Sequence, residues 1–259
     1  MTEDSISARG LFPRGLDQPT EGYRFSFDSL LLAAFAPAGR RILDLGAGCG
    51  VVGLTILLHR IDSESRIVGL ERTPVLADCA ERNAISLGFG SRYDLIRGRV
   101  EDLPGARWFD AGSFDGAVMN PPFRSPGSGR VSEREEVRSA RFAGGGVLKA
   151  FVQGAAWAVR TGGWAAVVFP AERLSELLVL LTGVGLEPKR LVMVHPRRRE
   201  PARLVLVEAR RNGSPGLIIE PPLVLHVGRG AKTRLTRQVL RFCPHLSCNQ
   251  GLSKNDLNG

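Results

Sequence analysis

The sequence predicts an α/β fold, with a mostly parallel seven-stranded sheet, helices on both of its faces and an antiparallel hairpin at one edge. Short apolar runs alternate five times with longer helical segments, and such alternation is typical of parallel strands joined by helical crossovers. The last two strands, over residues 186–196 and 201–211, are separated by too few residues for a helix. We therefore expect these two strands to pair antiparallel.

The elements follow in a regular order along the chain. A turn and an apolar helix precede the first strand, and the helices are predicted over residues 23–36, 51–60, 74–88, 147–160 and 171–185. The strands between them are predicted at residues 40–45, 65–73, 92–98, 113–120 and 163–170. Beyond the hairpin, we expect an extended segment over residues 217–230 and a short basic helix over residues 232–242.

No linker or internal repeat divides the chain. We expect a single domain over residues 1–243, which includes an N-terminal lid segment (residues 22–36) and a C-terminal extension (residues 212–243). The polar residues 244–259 are predicted to be a disordered tail.

The charge balance favours an anionic partner. The chain has 35 lysines and arginines against 26 acidic residues, a formal net charge of +9 and a pI of about 10.2. Residues 189–241 contain thirteen lysines and arginines but only three acidic residues. Such a patch is typical of proteins that bind nucleic acid phosphates, although a basic surface can also serve solubility alone.

The cysteine and hydropathy patterns argue against a disulfide-rich, zinc-binding, membrane or secreted protein. The four cysteines show neither a disulfide framework nor the spacing of a zinc site, and we expect no metal. No apolar run is long enough to cross a membrane, and the first thirty residues do not resemble a secretory signal. We therefore expect a cytoplasmic protein.

A glycine-rich loop follows the first predicted strand. The acid Asp44 precedes three alternating glycines, Gly46, Gly48 and Gly50, and Glu71 ends the second strand. Glycine permits tight bends and close approach of the backbone to a ligand, and a carboxylate at a strand end can accept hydrogen bonds from a ribose diol. This arrangement resembles the S-adenosylmethionine loop of class I methyltransferases, which implies a Rossmann-like fold and S-adenosylmethionine as the cofactor.

The third strand departs from that resemblance. Class I methyltransferases often carry an acid near the end of this strand, at the adenine of the cofactor, where this chain has Arg99. Either the backbone of Val100 or the side chain of Asp102 is expected to take the adenine contact.

The tetrapeptide Asn120-Pro121-Pro122-Phe123 ends the fourth strand. The side-chain oxygen of Asn120 and the carbonyl oxygen of Pro121 can accept hydrogen bonds from an exocyclic amino group and stabilise the positive charge that grows on its nitrogen. The proline rings fix the backbone before substrate arrives, and Phe123 offers a face on which a base can stack. A proline-rich turn capped by asparagine is the alternative for the tetrapeptide alone. After the glycine loop, we interpret the four residues as catalytic, with Asn120 also next to the cofactor.

Segments outside the glycine loop and the asparagine motif indicate which substrate is methylated. Residues 22–36, the turn at His195-Pro196-Arg197 and the segment over residues 221–226 resemble the bacterial methyltransferases that modify adenine N6 next to the anticodon of valine tRNA, from about Gly22 to Leu240. The resemblance implies a tRNA partner, contacted by Phe123, Arg124, Arg197, Arg198 and Arg199. One departure is the segment after residue 230, which lacks the aromatic and acidic residues of that family.

Three alternatives remain open at the level of the sequence. The asparagine motif also occurs in guanine-N2 methyltransferases of ribosomal RNA and in glutamine-N5 methyltransferases of proteins. A non-catalytic RNA-binding relative would keep the fold without needing the motif. The sequence does not specify an oligomeric state.

Overall fold

One large sheet organises the described part of the chain, which comprises residues 3–19, 25–61, 63–122 and 133–249 of a computed structural model. Its long strands are β1 (Arg41–Leu45), β2 (Arg66–Glu71), β3 (Tyr93–Arg97), β4 (Phe114–Met119), β5 (Val159–Pro170), β6 (Leu186–His195) and β7 (Leu204–Arg211). Two-residue strands follow as β8 (Ile218–Ile219) and β9 (Leu223–Val224). The order across the sheet is β3-β2-β1-β4-β5-β7-β6-β8, and β9 also pairs with β6.

The strand directions confirm the predicted architecture. Strands β1 to β5 pair in parallel, and β7 runs antiparallel to both of its neighbours, β5 and β6. The C-terminal extension adds β8 and β9 along the free edge of β6, both in parallel, so the sheet has nine strands where seven were expected. Covering this edge hides backbone groups that would otherwise be unpaired.

Helices cover both faces of the sheet. They are α1 (Glu3–Leu11), α2 (Phe27–Phe35), α3 (Val51–His59), α4 (Pro74–Ser86), α5 (Glu133–Ala158), α6 (Leu174–Gly183) and α7 (Arg237–Phe242). One hydrophobic cluster lies under α2, α3, α4 and α7, and a second lies under α5 and α6. Adjacent residues of β1 point into different clusters, Ile42 into the first and Leu43 into the second, as the period of a strand requires.

Some boundaries differ from the prediction. The helix expected through Arg160 ends at Ala158, and β5 begins directly afterwards at Val159 with a register shift against β4. The N-terminal residues, which showed no clear pattern, form α1. This helix is mostly polar and exposed, so it lacks the apolar stripe by which a helix is recognised in a sequence.

The C-terminal tail contradicts its prediction in part. Pro244–Asn249 form a 3-10 helix, whereas disorder was expected from residue 244. Leu246 is fully buried, and the ring of His245 lies 5.1 Å from Phe12 and 4.8 Å from His59, measured between centroids. One buried leucine is enough to fix a polar segment against the core, and a prediction from average composition does not detect a single residue. Residues 250–259 lie outside the described residues.

A small second sheet caps the end of β6. Its strands are β10 (His226–Val227) and β11 (Arg234–Leu235), which pair antiparallel. The backbone N–H of Leu225 donates to the carbonyl of His195, and the N–H of His226 donates to the carbonyl of Pro196. The C-terminal extension is therefore fixed at the carboxyl edge of the parallel strands, where ligands bind in folds of this kind.

Within the described residues, no helix is both long enough and apolar enough to cross a membrane.

Candidate active site

A cavity of about 300 Å³ opens at the carboxyl ends of β1, β2 and β4. We call it the main cavity. Its walls come from α2, the glycine loop, the ends of β2, β3 and β4, and α5. Its lining includes Ser29, Gly46, Gly48, Glu71, Gly98, Val100, Glu101, Asn120, Pro121, Pro122 and Phe151.

The glycine loop forms the floor of the main cavity. Gly46 and Gly48 have φ values of +69° and +58°, a region that other residues rarely adopt. A Cβ atom at Gly46 would lie 2.9 Å from the ring of Phe151, so only glycine fits there. The loop is held against the sheet by the N–H of Gly46, which donates to the carbonyl of Leu70.

Glu71 links the loop to the end of β2. Its Oε2 accepts a hydrogen bond from the N–H of Gly48 at 2.9 Å, and its Oε1 accepts one from the N–H of Thr73 at 2.8 Å. The residue is 6% exposed, and its exposed part faces the main cavity. Each carboxylate oxygen has a further lone pair, so Glu71 can still accept hydrogen bonds from a ribose diol.

Asp44 supports the loop from beneath and does not line the main cavity. Its Oδ2 accepts a hydrogen bond from the N–H of Gly53, in the first turn of α3, at 3.0 Å. Its pKa is raised to about 7, chiefly because burial disfavours the charged form; the hydrogen bond from Gly53 opposes this shift, and the nearby charge of Glu71 adds to it. Gly50 is also absent from the lining and forms the N-cap of α3. Both residues, predicted as cofactor ligands, hold the loop in place.

The end of β3 supplies the wall next to Glu71. Gly98, Val100 and Glu101 line the main cavity, whereas Asp102 does not. Of the two candidates for the adenine contact, the structure thus places Val100 at the cavity. Glu101 takes the place that was considered for Asp102, and Arg99 lies beside it at 3.7 Å between Nε and Oε2.

Asn120 lines the main cavity directly after the end of β4, the strand that pairs with β1. Its Nδ2 donates a hydrogen bond to the hydroxyl oxygen of Ser29 at 3.0 Å. This bond fixes the side-chain amide and leaves Oδ1 as an acceptor. Ser29 is 2% exposed and belongs to α2, ninety-one residues earlier in the chain.

Sequence reasoning placed the segment of Ser29 in a lid but gave the residue itself no role. A signal was available, since Ser29 directly precedes the apolar run of α2 and a buried hydroxyl requires a partner.

Pro121 and Pro122 line the main cavity beside Asn120. The carbonyl of Pro121 and Oδ1 of Asn120 are therefore two acceptors from adjacent residues at one wall. Phe123 and Arg124, predicted to stack on a base and to contact RNA, lie outside the described residues.

The predicted RNA contacts Arg197, Arg198 and Arg199 lie in the turn between β6 and β7, at the same carboxyl edge as the main cavity. Arg197 is paired with Glu200 at 3.0 Å and reaches Thr233 before β11 at 3.5 Å. Arg198 and Arg199 are exposed. The turn and the second sheet thus form one basic surface, with exposed cations at Arg198, Arg199, Arg203, Arg229, Lys232 and Arg234.

Metal ligation has no support in the described ranges, which contain no group of three or more His, Cys, Asp or Glu side chains able to hold an ion.

Comparisons with known proteins agree with this geometry. A curated tRNA1(Val) (adenine(37)-N6)-methyltransferase of Porphyromonas gingivalis is 28% identical over 190 residues, which cover 69% of this chain and 71% of the relative. A second with the same description, from a Shewanella strain, is 27% identical and covers 66% and 71%.

Among solved structures, a protein of Agrobacterium tumefaciens described as a predicted O-methyltransferase superposes with a TM-score of 0.68 at 22% identity, over 85% of this chain and 96% of that one. It supports the fold alone. The model of the methyltransferase small domain family matches residues 26–178, more than half of the sequence, and includes α2, the glycine loop and Asn120. The chain belongs to the methyltransferase small domain family.

Proposed function

We propose that the protein transfers a methyl group from S-adenosylmethionine to N6 of an adenine in tRNA, next to the anticodon. The observation that carries this proposal is the amide of Asn120, which Ser29 holds at the wall of the main cavity with Oδ1 left to accept. The curated relatives named above, which align with about two thirds of this chain, are described as adenine-N6 methyltransferases of tRNA1(Val).

The residues of the main cavity fit the cofactor. When bound, S-adenosylmethionine supplies an electrophilic methyl group on a sulfonium sulfur. Glu71 accepts hydrogen bonds from its ribose hydroxyls, and the close backbone at Gly46 and Gly48 leaves room for its amino-acid portion. Val100 and Gly98 provide the apolar wall for its adenine ring.

Asn120 and Pro121 act on the substrate amino group. The lone pair of an exocyclic amino group is delocalised into the base, so the nitrogen must pyramidalise before it can attack. Oδ1 of Asn120 and the carbonyl oxygen of Pro121 accept hydrogen bonds from the two N–H groups of this nitrogen. These bonds orient its lone pair and stabilise the developing positive charge. Pro122 restricts Pro121 to extended backbone, which fixes the carbonyl in advance. The methylated ammonium is acidic enough to lose its proton without a dedicated base.

The basic surface of the β6–β7 turn and the second sheet supports RNA as the substrate. It lies on the same carboxyl edge of the sheet as the main cavity, so an RNA bound to this edge could reach both. Such contacts position an RNA without reading its sequence. No disulfide joins the cysteines of the described residues, which fits a reducing compartment, and we place the reaction in the cytoplasm.

Methyl transfer from labelled S-adenosylmethionine to total tRNA, total ribosomal RNA and a protein extract tests the proposal. Digestion of the labelled RNA to nucleosides identifies the product. We expect label as N6-methyladenosine in tRNA and then in purified valine tRNA. Label in N2-methylguanosine or in protein would keep the chemistry and refute the substrate. Cofactor binding with no label in any fraction would refute methylation of macromolecules.

A further inference from the structure

A second cavity lies on the same edge of the molecule, on the other side of the first turn of α2. It has a volume of about 260 Å³ and is lined by Asp28, Val194, Pro196, Arg203, Leu204 and Leu225. We call it the second cavity. Three segments that are distant in sequence build it: the start of α2, the two ends of the β6–β7 turn, and the C-terminal extension.

The first turn of α2 separates the two cavities. Ser29 lines the main cavity and bonds to Asn120, while its neighbour Asp28 lines the second cavity. Successive residues of a helix point about 100° apart, so adjacent positions can face different sides of one turn. A nucleotide in the second cavity would therefore lie across the first turn of α2 from a base held at Asn120.

The walls suit a flat aromatic ring. Val194 and Leu225 are buried, and Pro196 and Leu204 are partly buried, so the cavity is apolar apart from two groups. Those two groups are the carboxyl of Asp28 and the guanidinium of Arg203. An apolar enclosure with one acceptor and one cation matches a nucleotide, because a base has apolar faces, N–H donors at its edge and a phosphate attached.

Among the described residues, two groups donate hydrogen bonds to the carboxylate of Asp28. The hydroxyl of Ser26 donates to Oδ2 at 2.9 Å, and the backbone N–H of Asp28 also donates, so the carboxylate keeps lone pairs for further donors. Partial burial raises the pKa of Asp28, since the carboxylate has lost part of its hydration. The amino or imino N–H groups of a base would replace the lost water.

Arg203 is placed to meet a phosphate. Its side chain is exposed and lies in the same turn as Arg198 and Arg199. Its backbone is fixed at both sides, because its N–H donates to Val194 at 2.9 Å and its carbonyl accepts from Ala171 at 3.0 Å. A fixed backbone beside an apolar cavity reduces the conformational entropy that a phosphate contact costs.

We propose that the second cavity binds an unpaired RNA base that flanks the methylated adenine, with Asp28 accepting hydrogen bonds from its edge and Arg203 contacting its phosphate. The inference rests on the proposed function for the identity of the RNA. It adds a site that selects the loop by its neighbouring nucleotide, whereas the basic surface contributes affinity without selection.

Direct binding tests this site without reference to turnover. The probe is a fluorescein-labelled RNA hairpin with the sequence of a valine tRNA anticodon arm, and its affinity is measured by anisotropy. Versions of the hairpin each have one loop base replaced by an abasic nucleotide. With the unmodified protein, we expect one abasic position adjacent to the target adenine to weaken binding on the order of tenfold.

Two variants identify the cavity as the origin of that loss. The Asp28→Asn variant, which is nearly isosteric, should bind the intact hairpin on the order of tenfold more weakly. In this variant, the abasic nucleotide at the same position should not weaken binding any further. Arg203→Ala changes an exposed side chain and should weaken every hairpin. Matched controls at the opposite edge, Glu64→Gln and Arg40→Ala, should keep both the affinity and the abasic penalty.

The outcomes separate the two proposals. An abasic penalty that persists in full in Asp28→Asn refutes the second cavity as its origin. Loss of S-adenosylhomocysteine affinity in Asp28→Asn would refute it too, because Asp28 would then act on the cofactor. A coupled abasic penalty in a protein that methylates no RNA would support the cavity and overturn the proposed function.

Discussion

Replacing Asn120 should lower turnover more than replacing any other single side chain. Asn120→Ala removes one of two acceptors for the substrate amino group, and we expect turnover to fall by about 100-fold or more. Affinity for S-adenosylhomocysteine should remain nearly unchanged, because Glu71 and the glycine loop stay in place. A radiometric assay measures the turnover, and calorimetry measures the affinity for S-adenosylhomocysteine. A variant that turns over normally, or that loses the cofactor, contradicts the role assigned to Asn120.

Ser29 should act only through Asn120. Ser29→Ala frees the amide to rotate, and we expect turnover to fall by roughly tenfold with little change in cofactor affinity. In the Asn120→Ala background, adding Ser29→Ala should lower turnover no further, since the amide that Ser29 positions is already gone. Ser65→Ala is the matched control, a buried serine at the opposite edge of the sheet that donates to Gly39. Fully additive losses would indicate a general structural role for Ser29.

Asp44 gives the fold a pH dependence. Its pKa is 3.8 ordinarily and about 7 in the folded protein, because burial disfavours the charged form. Between these values the unfolded chain releases a proton that the folded chain keeps, so rising pH lowers the free energy of unfolding. The contribution is fully present below pH 4 and lost above pH 7, and it amounts to roughly 4 kcal/mol at most.

Urea unfolding of the wild type and of Asp44→Asn between pH 4 and 8 measures this contribution. The asparagine still offers an oxygen to the N–H of Gly53, so the folded geometry is kept. We expect the wild type to lose stability relative to the variant as pH rises through this range. Parallel curves for the two proteins would show that Asp44 is charged in the fold.

Among the elements, the β6–β7 turn should dominate the electrostatics of RNA binding. Replacing both Arg198 and Arg199 by alanine should weaken binding to RNAs of any sequence. The slope of log K against log salt should fall by about one for each phosphate that the protein no longer neutralises. Arg40→Ala with Arg66→Ala, two exposed arginines at the amino ends of β1 and β2, is the matched control. An unchanged salt slope would place the RNA on another surface.

The elements also show where the sequence is informative and where it is not. Strands buried on both faces, such as β1 and β4, carry unbroken apolar runs between turn residues, so their positions and order were predictable. The polar helix α1 and the pairing of the extended segment with β6 were not. Both depend on long-range contacts, such as Arg9 donating to the carbonyl of Leu87 and the N–H of Glu220 donating to the carbonyl of Leu191, and a local pattern does not encode such contacts.

The site was predictable to the extent that its residues are contiguous. Gly46, Gly48, Glu71 and Asn120 are each found at the end of a strand, and the parallel sheet brings those ends together. The partnership of Ser29 with Asn120 spans ninety-one residues and could not be read from spacing. For Asp44, the pattern identified the residue but not its position beneath the loop.

For the whole molecule, Leu246 should be a major contributor to stability. It is fully buried in the hydrophobic cluster under α2 and α3, and Leu246→Ala should lower the free energy of unfolding by about 2–5 kcal/mol. Leu11→Ala, a leucine that is 62% exposed on α1, should change it by less than about 0.5 kcal/mol. Denaturant unfolding measures both. Equal effects would mean that the C-terminal 3-10 helix does not contribute to the core.

The contact of His245 with Phe12 and His59 holds the C-terminal 3-10 helix against the residues that follow α1. Helix α3 ends at His59, before the start of β2, so this junction lies at the amino edge of the sheet, away from both cavities. A covalent cross-link between these two segments would therefore leave the edge that carries both cavities free.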